Sequence, residues 1–173
     1  MWFSDNKTPF FTDYTDHGIG HIVNVLLSAE RLISGDSWQI LTPSDAEALV
    51  ASVLLHDSAM HLSVDGFFSL IESKPIPSYS QFIHEDTAWS DEFQSFIQEA
   101  YRWNAEKLVA VLGDVEPVRD PLKNGTNLSS RDRLVIGEFI RRNHARLAHQ
   151  FAVYGVPGAE GNTKVFHPFE NFG

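Results

Sequence analysis

The chain contains no cysteine. Disulfides and thiolate metal sites are therefore excluded, and any metal must be held by imidazole, carboxylate and water. No apolar run approaches the roughly 20 residues of a membrane helix. The first eleven residues, Met1 to Phe11, lack the basic start and apolar centre of a signal peptide, so a cytoplasmic location without a membrane partner is expected. Basic residues are scarce: 13 Lys and Arg against 23 Asp and Glu, a formal net charge of −10. That balance disfavours an extended nucleic-acid surface, which needs phosphate neutralisation. An anionic ligand remains compatible where bound cations invert the local charge. No internal repeat, low-complexity segment or series of alternating strands is present. A chain of 173 residues is long enough for one domain with a real core.

What is present is helical periodicity. Ile22, Leu26, Ala29 and Ile33, widened by Val25 and Leu32, predict an amphipathic helix from about Gly18 to Ile33, ended by Gly35. Thr42, Pro43 and Asp45 form a capping-box-like start for a second helix. Its expected buried face is Ala46, Leu49, Val50, Val53 and Leu54. A short helix after Ser63 takes in Phe67, Phe68 and Ile71, and 74–78 reads as a loop. The pattern predicts one long helix from about Ser90 to Leu112, closed by Gly113, then a loop over 114–129. A last helix runs from about Ser130 to Tyr154 with Ile136, Phe139, Ile140, Leu147 and Phe151 inward. Gly155 and Pro157 stop it. The expected fold class is all-α, a helical bundle over residues 1–154, with an irregular aromatic tail over 155–173 carrying Phe166, Phe169 and Phe172. That tail reads as a partner contact or as the edge of a domain cut from a longer parent.

The histidines are the chemically informative residues. His56-Asp57 ends a strongly apolar helix, Val53-Leu54-Leu55, where a carboxylate is costly unless something pairs with it. A divalent metal is one such partner; a helix-end histidine beside a surface aspartate is the plain alternative. His17 and His21 lie four residues apart and share a face if the first helix begins early enough. His21 could equally be a half-buried ring bonded to a carbonyl, and Asp16-His17-Gly18 is also a good helix-entry turn. His61 follows Asp57 by four residues. His144 falls between Ile140 and Leu147, where its ring nitrogens need a metal or a carboxylate such as Asp57, Asp65 or Asp86. Arg141 and Arg142 beside it could hold phosphate or simply line an outer face. His84 and His149 read as surface residues and His167 as tail. Phe93, Phe96 and Trp103 read as core or interface rather than platforms for bases.

The segments "YTDHGIGHIVNVLLSAERLI" and "EALVASVLLHDSAMH" resemble the first two helices of the HD superfamily of metal-dependent phosphohydrolases. "FIRRNHARLAHQF", with its Arg-x-x-His spacing, resembles the late helix of the HD-CE-like branch, which occurs in bacterial multidomain proteins. The resemblance covers about residues 12–154. It implies an HD-domain helical bundle and one or two divalent transition metals (Mn, Fe, Ni or Zn) held by His21, His56 and Asp57. His61 and His144 are further candidate ligands. It also implies hydrolysis of a nucleotide or related phosphate ester by a metal-activated water, with Asp57 and His61 as catalytic residues and His17, Arg141 and Arg142 contacting substrate. HD enzymes usually supply one more Asp from a late helix. Here that helix offers Asp132, near its start, and then Glu138, Asn143 and His144. Three explanations stay open: His144 substitutes, the ligand lies beyond Gly173, or the site is degenerate. In the last case the domain would be a sensor or a regulatory or assembly module, with other domains of a parent protein or a second copy of the chain as partners.

Overall fold

The computed structural model describes residues 8–11, 19–72 and 88–157. Among them the elements are α1 (Ile19–Leu32), α2 (Gly35–Trp38), α3 (Pro43–Leu55), α4 (Val64–Glu72), α5 (Trp89–Ala100), α6 (Ala105–Leu112) and α7 (Ser130–Tyr154). Short 3₁₀ turns occupy Ser58–His61 and Pro121–Asn124. No strand is present among the described residues, and the architecture is an all-α bundle. No described helix is long and apolar enough to cross a membrane. The expected 74–78 loop and the aromatics Phe166, Phe169 and Phe172 lie outside the described residues.

The helix ends follow local chemistry. Thr42 and Asp45 form a reciprocal capping box at α3, with Pro43 inside the first turn. Ser129 and Asp132 do the same for α7, satisfying donors that a helix start leaves bare. The expected long helix over 90–112 is in fact two. The chain turns at Tyr101–Asn104, and Asn104 accepts from the Lys107 N–H to cap α6. Gly113 ends α6 in the left-handed region, φ 80°, as a helix-closing glycine does.

The core is aromatic. Phe67 of α4, Phe93 of α5 and Phe139 of α7 meet edge to face, with centroids 5.3 Å and 5.0 Å apart across Phe93. Ile136, Ile140, Leu147 and Phe151 complete the inner face of α7. Phe93 and Phe96 are buried in this core and Trp103 packs against it. Phe10 enters from the N-terminal segment. Its carbonyl lies so close to α7 that a Cβ at Gly137 would sit 2.6 Å from it.

The α1–α3 pair differs from expectation. Of the two predicted apolar faces only Ile22 and Val53 are buried, and neither belongs to the main core cluster. Leu32 and Val50 are exposed, and Ala46 is exposed too. The reason is placement. α1 packs mainly on α3, and α3 reaches the body through a limited contact with α7, whereas the Ser58–His61 turn lies firmly against α7.

Candidate metal centre

α3 ends at Leu55, and His56 follows as its C-cap. The His56 Nδ1 lies 2.7 Å from the Val53 carbonyl oxygen. A carbonyl can only accept, so Nδ1 carries the proton, and in the neutral ring Nε2 presents a lone pair. That Nε2 is 2.8 Å from Asp57 Oδ2. From α1, His21 brings its Nε2 to 3.3 Å from His56 Nε2 and 3.2 Å from the same Asp57 oxygen. The three side chains are half-buried, and the potential ligand atoms lie within 4.8 Å of one another.

Asp57 occupies the N-cap position of the Ser58–His61 turn, yet its carboxylate makes no capping bond there. Asp is a favoured cap, worth about 0.5–2 kcal/mol. The carboxylate instead faces two imidazoles. Lone pairs of a neutral imidazole and a carboxylate oxygen repel at 2.8 Å unless a cation, proton or metal, sits between them. The donor set fits a metal. The three donor atoms lie 2.8–3.3 Å apart, close enough for one cation to be held by all of them. Two imidazoles and one carboxylate suit a divalent transition metal better than magnesium.

The other expected site residues are placed differently. His61 closes the 3₁₀ turn, half-buried, and does not join the three-residue group. His144 does not join it either, and its Nδ1 donates to the Arg141 carbonyl at 2.7 Å. Among the described residues neither expected carboxylate partner, Asp57 or Asp65, takes that nitrogen; Asp86 lies outside them. His17, His84 and His167 also lie outside them, and His149 is exposed.

Arg141 and Arg142, the expected phosphate contacts, are bonded to carboxylates of the fold. Arg141 grips Glu138 through Nε and Nη2 at 2.7 and 3.0 Å. Arg142 Nε donates to Glu138 at 3.0 Å, and its Nη1 donates to both Glu99 oxygens at 2.9 Å. Lys107 of α6 approaches Glu138 to 3.7 Å. Burial pushes the Glu138 carboxyl up, but the bonds from Arg141 and Arg142 outweigh it and hold the group below the ordinary Glu value. The Arg142 bond, aided by Trp103, likewise lowers Glu99. For Arg142, burial works against the charge, and its bonds to Glu99 and Glu138 more than offset this, raising its pKa. Glu138 thus ties α7 to α6 directly and to α5 through Arg142. Its 3- and 4-residue spacing to the two arginines is legible in the sequence; Glu99 and Lys107 are tertiary partners that it does not announce.

The two carboxylates of α7 are therefore both committed, Asp132 to the helix start and Glu138 to its arginines. Comparison with known families places this arrangement. Residues 11–168 match the HD-CE family, a span that includes every helix described. The chain belongs to the HD-CE family. No curated protein and no solved structure matches it. In this HD-CE chain the His-Asp doublet and the α1 histidine come together as the HD resemblance implies, while α7 adds no carboxylate to them.

Proposed function

We propose that this HD-CE domain is a metal-dependent phosphohydrolase or phosphodiesterase acting in the cytoplasm on a nucleotide or related phosphate ester. The observation that supports it is the convergence of His21, His56 and Asp57, with the His56 tautomer fixed by the Val53 carbonyl. These three residues would hold the metal. When bound, a divalent cation supplies Lewis acidity at a phosphoryl oxygen and lets water act as nucleophile near neutral pH. The chain's own groups do the rest. The Val53 carbonyl keeps the His56 ring oriented and basic, as outer partners of metal-binding histidines do. Asp57 provides the negative charge that draws a cation into the site. His61, four residues further on, is the group we assign to moving a proton to or from the reacting ester. With a net charge of −10, the domain depends on the cation for local attraction of a phosphate.

A phosphoester panel, including nucleoside mono-, di- and triphosphates, cyclic dinucleotides and p-nitrophenyl esters, tests this reading. Turnover by the metal-loaded wild type and its loss in His56→Ala and Asp57→Ala supports it. Equal rates in wild type and both variants sink it. A second reading is favoured by one observation: both α7 carboxylates are engaged elsewhere. On that reading the domain binds its metal and ligand as a sensor or regulatory module of a larger assembly, and it shows metal binding without turnover across the panel.

A further inference from the structure

Ser58 is the residue directly after the doublet. It is 4% exposed, and its Oγ is buried without a hydrogen-bond partner among the described residues. A buried unsatisfied hydroxyl costs about 1–3 kcal/mol, and such groups in native proteins call for an explanation. Alanine would fill the same space without that cost. The neighbouring Asp57 also forgoes a local bond, since its carboxylate does not cap the turn it begins. The Asp57 carboxylate is turned toward His21 and His56 instead, so the unsatisfied Ser58 hydroxyl lies beside the point where the metal ligands converge. Carboxylates that bind metals are themselves held by outer hydrogen bonds. His56 has such a holder in the Val53 carbonyl. Ser58 lies one residue from Asp57, on the turn that packs against α7.

We propose that Ser58 is a positioning residue of the metal centre, whose hydroxyl takes its hydrogen-bond partner in the metal-loaded state by donating to the Asp57 carboxylate. This rests on the metal-site reading above, but not on phosphoester turnover. The hydroxyl then fixes the carboxylate against rotation, so its contribution is to metal affinity rather than to the stability of the metal-free domain.

The test is Mn(II) binding by electron paramagnetic resonance of the free ion, without phosphate, beside thermal unfolding of the metal-free protein. The panel is wild type, Ser58→Ala and, as a site control, His21→Ala. The expected result is Mn(II) affinity about tenfold weaker in Ser58→Ala, with a metal-free melting temperature equal to or above that of wild type. Unchanged affinity in Ser58→Ala overturns the proposal, including the case where the variant weakens only binding of added inorganic phosphate. Loss of affinity together with a lower metal-free melting temperature also overturns it, because Ser58 is then structural. Wild type that binds no Mn(II) at the His21 site overturns both this proposal and the metal-site reading. Wild type that binds Mn(II) without hydrolysing any ester overturns only the proposed activity.

Discussion

The His56 ring donates from Nδ1 to the Val53 carbonyl oxygen at 2.7 Å and presents Nε2 to Asp57 Oδ2 at 2.8 Å. One turn of α3 thereby determines which nitrogen faces the candidate metal.

That relationship predicts metal content. Wild-type protein incubated with Mn, Ni or Zn should retain near-stoichiometric metal at this centre by elemental mass spectrometry. His56→Ala and Asp57→Ala should each lose it. His144→Ala should keep it, because that ring is turned to the Arg141 carbonyl and stands apart from the group. Equal loss in His144→Ala would contradict this assignment.

Glu138 should matter to folding and to its pH dependence. Glu138→Ala leaves two arginines without their common partner and should cost about 2–3 kcal/mol in urea unfolding at pH 7. The carboxyl is held below its ordinary value in the folded chain, so the unfolded state binds the proton more readily. Its stabilising contribution is therefore complete above the unfolded pKa, about 4.3. It is lost as pH falls through the lower folded value. Unfolding curves between pH 3 and 7 should show a shallower acid-side slope in Glu138→Gln than in wild type. Identical slopes would show that this carboxyl is not a source of acid sensitivity.

Gly137→Ala should destabilise despite the better helix propensity of alanine. The new Cβ would meet the Phe10 carbonyl at 2.6 Å. Backbone cannot swing aside as a side chain can, so a cost of about 1–3 kcal/mol is expected, exceeding the roughly 1 kcal/mol gain in propensity. In a chain lacking residues 1–11 the same substitution should become neutral or stabilising. Thermal melts of the four proteins in this cycle decide it.

Asn104→Ala should lower stability by about 1 kcal/mol through loss of the α6 cap, since Asn104 accepts from the Lys107 N–H. A melting temperature unchanged from wild type would show that the break between α5 and α6 is set by packing alone.

The sequence exposes these features unevenly. Capping chemistry is local, so the starts of α3 and α7 and the close of α6 at Gly113 can be read from a few residues. The doublet and His21 can be read because histidine and aspartate are unusual at the ends of apolar helices. Asn104 carries a usable start signal, but apolar residues at helical spacing on both sides of it, Phe93, Phe96 and Trp103 before and Leu108 and Leu112 after, suggest a single helix. The exposure of Leu32 and Val50 has no local signature, because burial of an apolar stripe depends on what packs over it. The same holds for Glu138. Its nearby arginines are visible in the chain, whereas its burial against Lys107, and its link through Arg142 to Glu99, come only from how α5, α6 and α7 assemble.

The thin attachment of the α1–α3 pair has a consequence for dynamics. His21 rides on this pair, outside the aromatic core, while Asp57 begins the turn that rests on α7. The metal centre is therefore a seam between units of unequal local stability. A cation joining His21 to Asp57 acts as a clasp across that seam. Amide hydrogen exchange in α1 and α3 should slow on metal loading far more than in α5 or α7, so that the opening of one hairpin sets how fast the ion enters and leaves.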